Sequence, residues 1–333
     1  HDYGRGGRGW RDLWQDCLAG LITEPALLRD SLIAYFGGVR MDGTNATIIG
    51  TTPGEFIADR NQILRVWMDH GYWPFVTLEF YVQQTGDLDV LFEAVPYFQD
   101  GQIKRGTEKD PQCEESDHRL RTVSGEPYLG TVLEHVLIEH LTACAELGEH
   151  GYIRLRGADW NDALDMASDR GESVAFTAAY AGGLTKLARL LRHIGEVRPQ
   201  QKLMLAQELG ELTSMSKKSD EEKRESLARY AEACRGRISG RRAGFDALEL
   251  AAELEALASG MKERIRSREW VQSEPDCGFM NGYYDNLGRA VEGAGPEGVR
   301  MMLTSQVFAL ASDTATESQA AMMVKSADRY LYH

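Results

Sequence analysis

The segment RLRGADWNDALDMA brings together side chains that could bind a sugar and cleave its glycosidic bond. The flat apolar face of a pyranose ring stacks on an indole such as Trp160, while Asp159 and Asn161 can pair with hydroxyl groups. A carboxylic acid such as Asp162 can protonate a glycosidic oxygen as a general acid. A simple turn would use the aspartate and the asparagine, but it has no need of a tryptophan. The pattern therefore favours a sugar site over an ordinary turn.

The opening segment GRGGRGWRDLWQD joins flexible glycines to Arg5, Arg8, Arg11 and Asp12. Arginine can fork onto hydroxyl groups or carboxylates, and glycine lets the backbone come close to a ligand. The spacing is not that of a P-loop or of a dinucleotide-binding motif, because neither GKS nor GKT nor a preceding strand occurs. The structural alternative is that Arg11 forms an ion pair with Asp12 or Asp16 at the start of a helix.

Three further clusters of polar and aromatic residues support weaker predictions. His70 follows Asp69, but neighbouring helical residues point in different directions, so a core histidine is favoured over a dyad or a metal ligand. In EHVLIEH, His135 and Glu139 share a helix face, which favours a hydrogen-bonded pair over a metal site, and no metal is predicted. The segment GFMNGYYDNLGRAVEG, residues 278–293, is either a wall of a sugar cleft or a well-packed loop.

The composition excludes several classes of protein. A net charge of −14 argues against nucleic acid as a partner, because phosphate neutralisation needs a basic surface. No run of about 18 or more apolar residues occurs, so neither a membrane span nor a signal peptide is expected. Five cysteines without a CxxC pair suit neither a zinc site nor a disulfide framework, which favours a reducing cytoplasmic location.

Helical periodicity dominates the elements that must position these residues, as in TVLEHVLIEHLTACAELG and TAAYAGGLTKLARLLRHIGEV. About a dozen helices and few strands are predicted, and YIRLRG is the best strand candidate. Long polar loops at residues 37–60 and 100–129 are of the kind that often carries function on a helical scaffold. Alternating charge at residues 211–243 predicts a solvated helical hairpin inserted on the surface. These features favour a helical toroid with its site at one mouth.

The chain resembles glycoside hydrolase family 94, which includes the cellobiose, chitobiose and 1,2-β-oligoglucan phosphorylases. The similar segments are GRGGRGWRDLWQD, GGVRMDGTNATIIG, VWMDHGYWPF, YIRLRGADWNDALDMA and NGYYDNLGRAVEG. The resemblance covers most of the chain except the charged insertion at about 211–243, and its most specific feature is DWND after an RD..QD segment. It implies an all-α fold, an (α/α)6 barrel over residues 1–333 with few short strands.

The resemblance also implies a reaction, the inverting phosphorolysis of a β-glucoside by inorganic phosphate with release of α-glucose 1-phosphate. The second aspartate of the family's DWND motif is the general acid, which is Asp162 here, and Trp160 binds the sugar on the non-reducing side of the scissile bond. Phosphate is already an anionic nucleophile, so the second carboxylate that inverting hydrolases need is dispensable. Asp162 must be protonated before reaction, and burial against Trp160 is expected to raise its pKa.

The remaining substrate-binding residues come from the same resemblance. An arginine and an aspartate of the Gly-Arg-rich segment hold the hydroxyl groups of that sugar, which places them at Arg5 and Asp12, with Arg8 or Arg11 as replacements for Arg5. Asp159 completes the predicted set. The reaction needs no cofactor besides phosphate as co-substrate, and homodimers are frequent in the family.

The extent of the chain and its substrate are further expectations. Family members hold phosphate with a histidine and a Thr-Gly pair that lie further along the chain than KSADRYLYH, and they carry an N-terminal β-sandwich domain. We therefore expect the sequence to be the central portion of a larger enzyme, with an incomplete barrel. The sequences of the two segments HDYGRGGRGWRDLWQD and RGADWNDALDMA are more similar to the 1,2-β-oligoglucan phosphorylase type. This similarity favours a β-1,2-gluco-oligosaccharide substrate, with cellobiose or cellodextrin next.

Two other functions remain open at this stage. An inverting β-glycoside hydrolase would use Asp12, Asp16 or Asp69 as a base, roughly 6.5–9.5 Å from the acid. A non-catalytic helical sugar-binding module would tolerate the loss of the acid. The density of Asp, Trp and Asn in loops rather than on helix faces favours an enzyme.

Overall fold

The computed structural model describes residues 8–50, 55–57, 66–111, 113, 118–161, 164 and 167–332. Helices make up most of the regular structure in these residues, so the predicted predominance of helix is confirmed. The nine α-helices found in this part of the chain are α1 (Trp10–Thr23), α2 (Arg29–Phe36), α3 (Trp73–Thr85), α4 (Val132–Ala145), α5 (Val174–Val197), α6 (Asp220–Ala233), α7 (Ala247–Arg268), α8 (Leu303–Ala311) and α9 (Glu317–Tyr330). A bilayer needs about 20 apolar residues in one helix, and none of these helices offers a long enough apolar stretch.

Short strands pair in small separate sheets rather than in one central sheet. The described strands are β1 (Arg8–Gly9), β2 (Ile48–Ile49), β3 (Phe56–Ile57), β4 (Ala94–Pro96), β5 (Gln102–Ile103), β6 (Glu108–Lys109), β7 (Arg121–Thr122), β8 (Leu129–Thr131), β9 (Ile153–Arg154), β10 (Glu172–Ser173), β11 (Leu203–Ala206), β12 (Arg237–Ile238), β13 (Arg242–Phe245), β14 (Trp270–Glu274), β15 (Cys277–Met280), β16 (Tyr283–Tyr284), β17 (Gly293–Gly295) and β18 (Gly298–Arg300). Two sheets have three strands, in the orders β1-β2-β3 and β16-β10-β9, and the other six are pairs. Only β7 and β12 pair in parallel among the described strands.

Helix α4 runs through the centre of the main hydrophobic core, and each of its residues is buried. It begins after Thr131, whose side chain accepts a hydrogen bond from the Glu134 amide and so satisfies one of the free N–H groups of the first turn. A helix that is buried on all sides is expected to be apolar all round. This one also carries four ionisable residues, and each of them needs a buried partner.

The predicted pair of His135 and Glu139 on this helix is wrong. The ring nitrogens of His135 face the carbonyl oxygens of Thr131 at 2.8 Å and Pro96 at 3.3 Å. The Oε1 atom of Glu139 instead accepts a hydrogen bond from Asn45 at 2.5 Å. Burial lowers the pKa of His135 to about 4, so this ring is neutral near pH 7. Burial also raises the pKa of Glu139 well above its usual range.

The charged segment at residues 211–243 contains α6, which packs against α4 on one side and meets solvent on the other. Its buried side includes Leu227 and Tyr230, and the Tyr230 hydroxyl donates a hydrogen bond to the Met41 carbonyl at 2.6 Å. Ser219 starts the helix with a capping box. The helix therefore covers the loop around residues 40–45, and its acidic and basic residues other than the buried Lys223 lie on the opposite side or at the edges.

Candidate active site

A three-stranded sheet and a neighbouring segment hold the loop that carries the DWND sequence. The loop leaves β9 and returns through β10, and β10 also pairs with β16, so that Ser173 lies between Ile153 and Tyr283. On its other side the Gly157 amide donates to the Val66 carbonyl at 2.7 Å, and the Ala158 carbonyl accepts from Met68 at 3.0 Å. The first half of the loop is therefore fixed by backbone hydrogen bonds on two sides.

Asp159 belongs to this loop, and its side chain is completely buried. One carboxylate oxygen accepts a hydrogen bond from the Asn161 amide at 2.8 Å and the other accepts one from the Ser173 hydroxyl at 3.0 Å. Burial, reinforced by the negative charge of Asp69, raises the pKa of Asp159 to about 6. The Tyr283 phenol is buried beside it, and burial followed by the Asp159 charge raises the pKa of that phenol. An acid that titrates near neutral pH therefore lies three positions before Asp162.

Arg11 links three separate segments at the edge of the loop. Its guanidinium binds Asp69 through Nε at 2.6 Å and Nη2 at 3.0 Å, and the same Nη2 donates to the Asp159 carbonyl at 2.9 Å. The indole of Trp73 also donates to Asp69, at 2.8 Å. This ion pair joins α1 to a residue 58 positions away, a partner that the sequence did not suggest.

Trp160 follows the buried aspartate and has 52% of its surface exposed. An exposed indole costs free energy in water and offers a flat apolar face on which a sugar ring can stack. Asp12 lies in the first turn of α1, directly after Arg11, and is also exposed. The structure thus brings Arg11 to the backbone of the Asp159–Trp160 segment, while Arg5 and Asp162 lie outside the described residues.

Two stacked aromatic rings, Trp67 and His70, lie next to the guanidinium of Arg11. The guanidinium of Arg11 lies over the ring of Trp67, 5.6 Å from its centroid, and Trp67 stacks on His70 at 5.9 Å. His70 is buried, as predicted, and burial together with the nearby Arg11 lowers its pKa well below the usual value, so the ring is neutral. A small cavity reaches inward from these rings to Asn45 and Tyr180.

Sequence reasoning missed the residues that support the site from below. Ser173 caps α5 by accepting a hydrogen bond from the Phe176 amide while its hydroxyl binds Asp159. A serine directly before a helical run is a recognised N-cap pattern and would have located it. The anchoring role of Asp69 had no comparable pattern. Because Asp69 is fully buried and both its oxygens are engaged, it is poorly suited to activate water as the base of a hydrolase.

One group of three potential metal ligands occurs in the part of the chain that the structure describes. Ligand atoms of Glu274, Asp276 and Cys277 lie within 4.8 Å of one another at the β14–β15 turn. Both carboxylates already face cations, Asp276 with Lys325 at 3.3 Å and Glu274 with Arg329 at 2.8 Å. This arrangement is that of a surface ion-pair cluster.

The raised pKa of Asp159 predicts a specific pH dependence of stability. A buried acid with a folded-state pKa of about 6 instead of 3.8 favours the folded state only while it is protonated. As the pH rises from about 4 to about 6, ionisation of Asp159 therefore lowers the free energy of unfolding. The full effect is roughly 3 kcal/mol, at 1.36 kcal/mol per pKa unit. We expect the unfolding free energy of the wild type, measured relative to Asp159→Asn, to fall by about 2 kcal/mol between about pH 4.5 and pH 7.5.

Urea denaturation of both proteins at the two pH values measures this difference. Other buried acids titrate equally in the two proteins and cancel in the comparison. A difference that stays constant with pH would show that Asp159 is ionised at both values and that burial does not raise its pKa.

No family model matches the chain. It is 27% identical over 190 residues to the solabiose phosphorylase of Paenibacillus borealis, a match that covers 56% of this chain and 20% of that protein. It is 29% identical over 175 residues to the cyclic β-(1,2)-glucan synthase NdvB of Rhizobium meliloti (strain 1021), covering 51% of this chain and 6% of that protein. It is 24% identical over 212 residues to the N,N'-diacetylchitobiose phosphorylase of Vibrio furnissii, covering 57% of this chain and 22% of that protein.

These relatives are distant, but two of the three are disaccharide phosphorylases by name. The matched part of this chain corresponds to between 6% and 22% of their length. The similarity to phosphorylases and to a glucan synthase is consistent with the resemblance to glycoside hydrolase family 94, at distant identity and over part of the chain.

Proposed function

We propose that this chain contains the catalytic centre of an inverting β-glycoside phosphorylase, in which inorganic phosphate cleaves a β-glucoside and α-glucose 1-phosphate is released. The observation that carries the proposal is the half-exposed Trp160, which follows the buried Asp159 and lies two positions before Asp162. The guanidinium of Arg11 holds the backbone at this point. Distant phosphorylase relatives support the same reaction class.

In this proposal Asp162 is the general acid and Trp160 is the platform for the sugar on the non-reducing side. Asp12, exposed at the start of α1, and Arg5 bind hydroxyl groups of that sugar. Arg11 and Asp159 belong to the same binding region. Because both are engaged with protein groups, their contribution is to fix the backbone that presents Trp160.

The helices described above are proposed to form part of an (α/α)6 barrel with the DWND loop at one mouth. A core helix buried on all sides, such as α4, fits the inner layer of such a barrel. The charged segment at about 211–243 is then an addition to the outer side of the barrel.

The substrate class follows from the same proposal. β-1,2-Linked gluco-oligosaccharides are favoured, with cellobiose and cellodextrins next. The named relatives act on or form different glycosides, including a cyclic β-(1,2)-glucan. The linkage is therefore tested directly in the experiment below.

The test uses protein expressed from the intact gene with β-1,2-gluco-oligosaccharides or cellobiose, with and without inorganic phosphate. We expect α-glucose 1-phosphate to appear only when phosphate is present, because phosphate is the nucleophile. An enzymatic assay for glucose 1-phosphate measures the product, and NMR of the anomeric proton reports its configuration. Free glucose formed at the same rate without phosphate would show a hydrolase and overturn the proposal.

A further inference from the structure

Two residues that meet at the base of the DWND loop have a strained backbone. Four non-glycine residues in the described part of the chain have a positive φ angle, and they are Lys104 (50°), Arg105 (52°), Arg156 (56°) and Asp313 (56°). This conformation is unfavourable for residues with a Cβ atom and persists only where the surroundings impose it. Of these four residues, Arg105 and Arg156 meet at one buried ion cluster.

Glu146 lies at the centre of that cluster, at the C-terminal end of α4. Its Oε2 atom accepts a hydrogen bond from Nε of Arg105 at 2.7 Å, and its Oε1 atom lies 3.3 Å from Nε of Arg156. The second arginine donates in turn to the carbonyl of the first at 2.9 Å. The side chains of all three residues are at most 12% exposed.

Further contacts hold the Arg105 side of the cluster in place. Its Nη1 atom donates to Thr142 at 2.8 Å and to the Asp42 carbonyl at 2.7 Å, and its amide donates to the Asp42 carboxylate at 2.8 Å. The cluster therefore joins the turn at residues 40–45 and helix α4 to the base of the DWND loop. Arg105 is fixed from several sides, whereas Arg156 depends on its contacts with Arg105 and Glu146.

Arg156 is the residue from which the DWND loop departs. Its backbone bridges to Trp67, and the next two residues form the hydrogen bonds to Val66 and Met68 that hold the loop. A displacement of Arg156 would be transmitted within three residues to Asp159 and four to Trp160. No other described residue between Leu155 and Trp160 has a side-chain ion pair in the structure.

The charges of the cluster explain why Glu146 is the critical member. Burial disfavours its ionised form, but the guanidinium groups of Arg105 and Arg156 outweigh this effect and lower the pKa of the carboxyl below its usual value. Without that carboxylate the two buried cations would repel each other at low effective dielectric. Arg156, which has fewer contacts, would be the one to move.

We propose that Glu146 is a positioning residue that holds Arg156 in its strained conformation and thereby sets the position of Asp159 and Trp160 in the DWND loop. The inference rests on the proposed function only in that this loop is where the sugar is taken to bind. A cavity of about 380 Å³, lined by Arg105, Glu146 and residues of α6, borders the cluster. It leaves room for a neutral side chain at position 146 without a steric conflict.

The first test is Glu146→Gln, which removes the charge and keeps the shape. We expect kcat for phosphorolysis to fall roughly 10- to 100-fold, because misplacing reacting groups by about 1 Å can cost that much. The KM for phosphate is expected to stay within about two-fold, a split that general destabilisation would not produce. Hydrogen exchange is expected to become faster at the Gly157 and Met68 amides, which form the two backbone hydrogen bonds of the loop. This result does not depend on which reaction the enzyme catalyses.

A double variant separates positioning from stability. In Glu146→Gln/Arg156→Gln, one anion and one cation are removed together, so the melting temperature is expected to recover. The kcat is expected to stay low, and exchange at the Gly157 and Met68 amides is expected to stay fast. The control is Asp87→Asn, which breaks a partly buried pair with Arg29 (Nε–Oδ2 2.8 Å) between α2 and the segment after α3, apart from the cluster. It is expected to lower stability with no change in loop exchange.

Two results would overturn the inference. In the double variant, both the exchange rate of the loop amides and the melting temperature could return to their wild-type values. That result would show that the cluster only stabilises the fold and does not position the loop. Unchanged exchange at the Gly157 and Met68 amides in Glu146→Gln would show that the loop is held without the Glu146 carboxylate. If the exchange result is as expected but no phosphorolysis is found in any variant, only the proposed function fails.

Discussion

Replacing Asp162 by asparagine is expected to lower kcat for phosphorolysis at least about 100-fold, the lower end of what a general acid contributes. Asparagine keeps the shape and hydrogen-bonding capacity of the side chain but cannot donate a proton to the leaving oxygen. The KM for the sugar is expected to change little, because the lost interaction develops only as the bond breaks. Initial rates of glucose 1-phosphate formation at saturating phosphate measure the effect.

The leaving group provides a sharper form of the same test. A β-glucoside with a dinitrophenolate leaving group needs no protonation, so the loss of activity in Asp162→Asn is expected to be much smaller with that substrate. Asp169→Asn is the matched control, since Asp169 is an exposed aspartate in the same connection between β9 and β10. An equal loss with both substrates would mean that Asp162 binds sugar but does not donate the proton. A fall of less than about tenfold would remove it from the mechanism.

Chemical type and order were enough to predict which segment carries the site, but not which of its side chains face inward. Asp159 and Trp160 are adjacent in DWND, yet the first is fully buried and the second half-exposed. Burial of the aspartate depends on Ser173 and Tyr283, which approach from strands formed later in the chain. Nothing in the local sequence distinguishes a carboxylate that contacts ligand from one that supports the loop.

The helices could be predicted because they depend on local spacing, whereas the side-chain contacts could not because they join residues that are distant in the chain. The 3.6-residue period of α4 is a local property and appears directly in the sequence. Its polar residues, however, bond to groups that are distant in the chain, such as Asn45 for Glu139, 94 positions away. The i,i+4 rule favours a His135–Glu139 pair on an isolated helix, but tertiary packing offers each side chain a different buried partner. Local spacing therefore predicts elements better than it predicts pairings.

The prediction with the largest effect on stability is Arg11→Met. Asp69 is fully buried, and both its oxygens accept hydrogen bonds from Arg11. Among the described residues, the substitution therefore leaves this carboxylate with the Trp73 indole as its one remaining donor. Breaking a buried ion pair by removing one partner costs about 3–5 kcal/mol. We expect a loss of that size in the unfolding free energy, measured by urea denaturation near pH 7. Arg192→Met, which breaks an exposed pair with Glu255, serves as the control and is expected to have a much smaller effect.

Arg11 also tethers the Asp159 carbonyl, so stability and activity should separate when the charge is removed from both sides. In Arg11→Met/Asp69→Asn no buried charge is left unpaired, and most of the lost stability is expected to return because replacing both partners is often close to neutral. The Asp159–Trp160 backbone still lacks its donor, and kcat is therefore expected to stay low. Recovery of both quantities in the double variant would show that Arg11 acts only through the ion pair. A loss of less than about 1 kcal/mol in Arg11→Met itself would show that the pair of Arg11 and Asp69 contributes no more than an exposed ion pair.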